Sequence, residues 1–427
     1  MEQQKPKYTL PIVVMFLLYF MIAFVTNFAG TMGVVVKNQF GASNALSQLG
    51  TLANFIAYAC MGMPAGLMLK RKGYKFTSLC AVAVGIMGVA IQWLSDPLQS
   101  FAVYVAGAFV AGFSMCMLNI VVNPMLNTLG GGGNRGNQLN LIGGTFNSVG
   151  GTLAPVILGY CIGGAVADAD LGDASLAMTL AMVIFVVAFV VILFTKIPEP
   201  HLETAEEKAL RLSGGAKKDP VGPLSFRHFA LGALAIFFYV GIEVGIPNTA
   251  NLFMSEDPDV GPALAGGIIG AYWFLMMVGR FIGASIGSKV SSKKMLTVVS
   301  LAAICLVLGV MFIPEPVDVF IQLRLTGIDG NVPVAMLCML LCGLCTSVMW
   351  GCIFNLSVEG LGKYTPLASG IFMTLVCGGG ILPFIQGIVA DGIGAQGSYV
   401  VVLCGLIYIL YYALRGSKNV NTDIKTD

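Results

Sequence analysis

Apolar residues run through this chain in long blocks separated by short polar gaps, from about residue 10 to residue 414. Twelve blocks are long enough to cross a bilayer, near 10–36, 46–69, 76–95, 101–126, 139–165, 175–195, 229–254, 264–288, 295–313, 333–357, 366–390 and 398–414. About 20 apolar residues in a helix match the hydrocarbon thickness, and a helix satisfies its own backbone hydrogen bonds where no water is present. The pattern predicts an all-α integral membrane protein with 12 transmembrane helices, spans 1 to 12.

Hydrophobic residues make up 57% of the chain and charged ones 10%, which excludes a soluble globular domain of this length. The net charge of +2 says little, but its distribution says more. Apart from Lys37, Arg324 and the intramembrane Arg280, every Lys and Arg lies at a terminus or in alternate gaps, as in the loop Lys70-Arg71-Lys72-Gly73-Tyr74-Lys75. Basic residues stay cytoplasmic, so both termini are expected in the cytoplasm and the chain in the inner membrane. The opposite gaps carry acids, including Asp168, Asp170, Asp173, Glu315 and Asp318. No cleavable signal peptide is expected, because the first apolar run is too long and lacks a small-residue cleavage site.

Several chemistries lack material. The 11 cysteines all fall within spans, so no disulfide framework is expected. Cys338, Cys342, Cys345 and Cys352 share a face of span 10, where small residues read as helix packing rather than as a metal site. His201 and His228, the only histidines, lie in or beside the central polar stretch and offer no triad and no zinc motif. A GxxxxGK[ST] phosphate loop is absent, which removes ATP as an energy source. The chain is therefore expected to be no enzyme, and to use no cofactor, metal or nucleic acid.

The longest polar segment, 197–227, carries Pro198, Pro200, Pro220 and Pro223 and divides the chain into a six-span half (1–196), a cytoplasmic linker and a second six-span half (228–427). The halves echo each other. Gly150-Gly151-Thr152-Leu153-Ala154-Pro155 with Gly159 recurs as Gly378-Gly379-Gly380-Ile381-Leu382-Pro383 with Gly387, at a constant offset of 228. Asn123 to Leu129-Gly130 recurs as Asn355 to Leu361-Gly362, offset by 232. Spans 2 and 8 share GxxxG pairs, Gly62/Gly66 and Gly279/Gly283, ahead of basic loops. Two halves related by an axis along the membrane normal describe the major facilitator architecture, with its substrate site between the halves near the midplane. The loop after span 2 fits that superfamily's signature except for its acidic member, which is missing. The glycines at 150–151 and 378–380 are candidate points of flexing during alternating access.

Further segments resemble the fucose:proton symporter family of sugar transporters. They are Val122-Asn123-Pro124, Leu139-Asn140-Leu141 and Thr145-Phe146-Asn147-Ser148 in spans 4 and 5, Phe237 to Val244 in span 7, Tyr272-Trp273 with Val278-Gly279-Arg280-Phe281 in span 8, and Gly360-Leu361-Gly362-Lys363. The resemblance implies import of a monosaccharide by alternating access. In the proton-coupled members, an aspartate in span 1 and a glutamate in span 4 form the protonatable pair. Here Gly30 and Asn119 stand at those positions, and Gly144 stands where a glutamine is expected. No span of the first half holds an acid.

Ionisable groups inside a membrane are costly and are functional candidates by default. Glu243 lies 16 residues after Arg227, about 24 Å along the helix, and is a candidate either for proton coupling or for fixing helix packing. Arg280 lies nine residues before Lys289, about 13 Å from the basic edge. That difference in depth argues against an ion pair between them and for a cytoplasmic gate in which Arg280 joins Glu359 or the carbonyl ends of neighbouring helices. Sugars require groups that both donate and accept, with an aromatic face beside them. Asn27, Asn119, Asn123, Asn147, Tyr239, Trp273, Trp350 and Asn355 are the candidates, with Asn123 and Asn355 near enough to the cytoplasmic end to serve closure. The expected partners are a sugar, the bilayer and a coupling proton or sodium ion. Three alternatives stay open: facilitated exchange, an anionic solute such as a sialic acid, and a sensor that binds sugar without moving it.

Overall fold

The computed structural model describes residues 8–40, 49–162, 171–212, 222–256, 261–313, 318–323, 328–421 and 424. Span 1 is Thr9–Phe40, span 4 Phe101–Leu129, span 5 Gly133–Ile162, span 6 Ser175–Phe194, span 7 Arg227–Glu256, span 8 Gly261–Ile286 and span 9 Ser292–Phe312. Spans 2 and 3 form one run, Leu49–Leu94, broken at Gly73. Span 10 is two helices, Val334–Thr346 and Met349–Val358, and span 11 is Thr365–Thr374 and Gly378–Ser398 around a tight turn Leu375–Cys377. Span 12 is Val400–Tyr411.

Among the described residues eight helices are long and apolar enough to cross a bilayer, and the bent pair Gly392–Ser398 with Val400–Gly416 makes a ninth. One of the eight, Leu52–Leu94, holds two spans. Spans 5 and 8 complete the twelve; span 5 is diluted by glycines and amides, and span 8 is represented by the apolar stretch Gly270–Ile286.

Packing repeats between the halves. Span 1 packs on spans 4 and 5 as span 7 packs on spans 10 and 11, and span 3 packs on span 6 as span 9 packs on span 12. The repeated glycines explain part of this. A side chain at Gly150 would strike the Phe20 carbonyl of span 1, and one at Gly378 the Phe237 carbonyl of span 7. Both glycines are therefore points of close helix approach. Span 5 is unbroken there, whereas span 11 changes pitch just before Gly378. Among the apolar windows span 4 is the most buried and spans 6 and 9 the least, so span 4 lines the interior and spans 6 and 9 face lipid.

The halves meet along spans 2 and 11 and along spans 5 and 8. The GxxxG pair of span 2 makes the first contact. A Cβ at Gly66 would lie 2.8 Å from the Pro366 carbonyl oxygen and 3.0 Å from Gly370 Cα. The second contact includes Gln138, whose Nε2 donates to the Ala284 carbonyl at 3.1 Å. The contacts between the halves are densest toward the face bearing the basic loops, and along span 2 they reach Phe55 and Leu52 against Gly379 and Gly380 of span 11.

Two features depart from expectation. The segment between spans 9 and 10 forms an antiparallel hairpin, β1 (Asp318–Leu323) and β2 (Ile328–Pro333), in register Asp318↔Pro333 to Leu323↔Ile328. The acid missing from the loop after span 2 is supplied from elsewhere. Glu199, just past span 6, accepts from the backbone N–H groups of Tyr74 and Lys75 and so caps the start of span 3. Gly73 has φ +86, and a side chain there would collide with the Glu199 carboxylate. The Tyr74 hydroxyl and His201 Nδ1 share a hydrogen bond at 2.7 Å. Asp168, Asp170, Glu315 and Arg324 lie outside the described residues.

Candidate functional site

Asn119 and Asn123 lie one turn apart on span 4, so both amides project from one face of the most buried span. Asn123 Nδ2 donates to the Asn119 carbonyl at 2.8 Å and more loosely to its Oδ1 at 3.4 Å. Asn119 Nδ2 donates to the Tyr58 hydroxyl of span 2 at 3.0 Å. Asn123 Oδ1 accepts twice, from the Tyr19 hydroxyl of span 1 and, at 2.9 Å, from Trp350 Nε1 of span 10 in the other half. Trp350 in turn lies edge-on to Tyr239 (centroids 6.1 Å apart) and to Phe372 (5.9 Å). One polar chain thus runs from span 2 through span 4 to an aromatic cluster of the second half.

The second assembly centres on Arg280. Its Nη2 donates to Glu243 Oε1 at 3.1 Å, an ion pair with both side chains largely buried. Its Nη1 reaches across to span 5, donating to Ser148 Oγ at 2.8 Å, the Gly144 carbonyl at 3.2 Å and Asn147 Oδ1 at 3.3 Å. Its Nε donates to the Ser347 carbonyl, at the break in span 10, at 3.3 Å. Asn147 Nδ2 donates to the Tyr19 carbonyl at 2.9 Å, which ties this assembly to the first. Tyr239, one turn before Glu243, is buried with its hydroxyl beside the carboxylate. A buried ion pair at this depth is tolerable because further hydrogen bonds satisfy the guanidinium.

This arrangement corrects the expected gate. Arg280 pairs with Glu243 and not with Glu359, which is exposed at the end of span 10 and offers its backbone carbonyl to His228 Nε2 at 2.9 Å. Counting the rise per residue locates Cα atoms, whereas a long guanidinium side chain carries its charge well away from its own Cα. The difference in depth is bridged by the side chains.

Asn119, Asn123, Asn147, Tyr239, Trp350, Glu243 and Arg280 come together across the interface between the halves. Asn355 lies nearer the basic face, accepting from Asn127 Nδ2 at 2.7 Å and donating to Ser292 Oγ at 2.9 Å. Trp273 stacks edge-on to Tyr272 (5.4 Å), whose hydroxyl lies 3.4 Å from the Glu243 carbonyl and 3.3 Å from Thr346 Oγ1. The side chain of Asn27 lies outside what the structure describes, although its backbone continues span 1. Tyr19 and Tyr58 are not expected from sequence, and Tyr272 and Ser148 stand there only within the family-like segments, without a role at the site. The tyrosines did carry a signal, since tyrosine in a membrane helix favours the interface and one placed mid-span needs a buried partner. Among the described residues no three His, Cys, Asp or Glu side chains are grouped to hold a metal ion.

The sequence matches the model of the Major Facilitator Superfamily over residues 15–415. It is 31% identical over 407 residues to a glucose/galactose transporter of Brucella abortus, covering 94% of this chain and 93% of that protein. It is 22% identical over 441 residues to the L-fucose-proton symporter of Escherichia coli, covering 98% and 96%. The fold is similar to a crystal structure of the transporter FucP in the outward conformation, with TM-score 0.80 and 20% identity over 97% of this chain and 100% of that one. With its two six-span halves, this chain belongs to the major facilitator superfamily, in the family of fucose permeases and glucose/galactose transporters.

Proposed function

We propose that this chain is a secondary active transporter that imports a monosaccharide by alternating access, coupled to a proton through Glu243. The observation that carries the reading is the buried Glu243–Arg280 pair, set at the interface between the halves beside the amides of spans 4 and 5. Support for a sugar comes from the names of the relatives and from the chemistry present. Asn119, Asn123 and Asn147 both donate and accept, and Trp350 and Tyr239 offer aromatic surface next to them. Both ends of each amide are bonded within the protein here, so sugar hydroxyls would exchange with those partners.

The halves, 1–196 and 228–427, would rock about this site with 197–227 as their connection. The basic face is assigned to the cytoplasm of an inner membrane, with both termini there. In that orientation the contacts along spans 2 and 11 and spans 5 and 8 close the cytoplasmic side, with Asn127 and Asn355 bonded across the closure. Neutralisation of Arg280 by Glu243 favours a neutral sugar over a sialic acid.

The test is counterflow in proteoliposomes with labelled neutral, N-acetylated and acidic sugars, with and without an inward proton gradient. Exchange of a neutral sugar, accelerated by the gradient in wild type and not in Glu243→Gln, is the expected result. Exchange indifferent to pH would assign Glu243 to structure and the energy to sodium or to facilitation. No exchange with any sugar would remove the substrate assignment.

A further inference from the structure

Arg280 is bonded to three spans of two different halves. Spans 7 and 10, which supply Glu243 and the Ser347 carbonyl, belong to its own half, and span 5, which supplies Gly144, Asn147 and Ser148, belongs to the other. One guanidinium therefore both neutralises the buried carboxylate and fastens the halves together. Gly144 admits it. A Cβ at that position would lie 3.4 Å from Arg280 Cδ and 3.7 Å from Nε, so a methyl just fits and a longer side chain would enter the guanidinium's path. The other ionisable groups facing the pair are Tyr239 on span 7, Tyr272 on span 8 with Cys342 of span 10 behind it, and Tyr19 on span 1. Phenols and thiols are neutral at neutral pH. The charge balance of the pocket is set by Glu243 alone.

We propose that Arg280 is a positioning residue that converts the charge of Glu243 into the hold between the halves. With the carboxylate ionised, the guanidinium is pinned against span 5 and the basic face stays closed. A proton arriving from the opposite side joins the carboxylate oxygen, giving a neutral acid and an uncompensated buried guanidinium. The guanidinium then withdraws from span 5 toward water and the halves are free to rock. Loss of the proton on the other side restores the pair. The source of the switch rests on the reading of Glu243 as the proton carrier, but the hold itself stands without it.

The experiment is hydrogen exchange of the full-length protein in lipid nanodiscs at one pH, on wild type, Glu243→Gln, Arg280→Lys and Ser148→Ala. Peptides over 137–148 and 280–290 report the contact of spans 5 and 8, and a peptide over 400–411 in span 12 is the control. Glu243→Gln and Arg280→Lys should raise exchange at the contact by about tenfold or more, with span 12 unchanged. Ser148→Ala, which leaves the ion pair intact, should raise it by a smaller factor. Wild-type protection in Glu243→Gln would overturn the proposal, and so would an equal rise in span 12, which marks general destabilisation. The two readings fail separately. Uptake indifferent to a proton gradient with a loosened Glu243→Gln contact would remove the coupling and keep the hold. Uptake that loses its gradient dependence in Glu243→Gln with protection unchanged would do the reverse.

Discussion

Asn123 Oδ1 accepts from Tyr19 of its own half and from Trp350 of the other. Two substitutions separate what this oxygen does. Trp350→Phe keeps the ring against Phe372 but removes one donor, and Asn123 still has Tyr19, so the loss is one net hydrogen bond, about 1 kcal/mol. Asn123→Ala removes the acceptor of both donors, leaving the buried Tyr19 hydroxyl only a long contact to Asn140 Oδ1 at 3.5 Å and the part-buried indole N–H without a partner, at about 1–3 kcal/mol in all. Thermal unfolding of the purified protein should show a small shift for Trp350→Phe and a clearly larger one for Asn123→Ala. The amides and their one-turn spacing were legible in the sequence, because helical periodicity puts positions four apart on one face. Their partners were not, since Tyr19 and Tyr58 are brought to them from spans 1 and 2 by packing that no local spacing encodes. The Glu243–Arg280 pair is hidden for the related reason that backbone rise fixes the depth of a Cα and not of the charge at the end of a long side chain.

Span 2 meets span 11 through surfaces that only glycine permits, with the Pro366 carbonyl 2.8 Å from where a Gly66 Cβ would lie. Gly66→Leu would force these helices apart at a cost of about 1–3 kcal/mol, drawn from the state closed on the basic face. Sugar added on the opposite side should then bind more weakly, because fewer molecules present that side. Binding from the basic side, measured in inside-out vesicles, should be kept or improved; equal weakening from both sides would mean damage rather than a shifted balance. The linker clasp gives a pH-dependent prediction. Burial holds His201 down to about 4, while half-burial moves Glu199 upward against its two backbone N–H donors. Above about 6.5 the imidazole is neutral clasped or free, and between that and about 4 only the free form takes the proton. The clasp therefore weakens as pH falls through that window. The upward shift of Glu199 acts in the opposite sense. Limited proteolysis around 196–212 should be faster at pH 5 than at pH 7, with the difference reduced in His201→Gln. The twelve apolar blocks were legible because bilayer thickness dictates their length. The breaks at Ser347-Val348 and Leu375–Cys377 were not, since neither carries a proline, and the hairpin strands of six residues were too short to stand out from a polar loop.

At the scale of the whole carrier, net charge at the proposed site decides which solutes fit. Arg280 and Glu243 cancel there, and the neighbouring groups of spans 1, 4 and 5 are amides, hydroxyls and carbonyls. A neutral ring bearing hydroxyls meets no unpaired charge on entry. A carboxylate would either displace Glu243 from its partner or sit beside it, and like charges at such a site disfavour binding. Wild type is therefore expected to take a neutral hexose and to be insensitive to the matching uronate as a competitor. Glu243→Gln reverses the balance. The guanidinium loses its counter-ion, so the site becomes cationic and a carboxylate on the sugar now has a partner. Inhibition of hexose counterflow by the uronate should strengthen by about tenfold or more, because a charged hydrogen bond to an otherwise unpaired buried ion is worth about 1.5–3 kcal/mol. The same gain should fade in Arg280→Met/Glu243→Gln, which has no charge to offer. A uronate that competes equally well in wild type and in Glu243→Gln would mean that the pair lies outside the path of the sugar and serves the two halves alone.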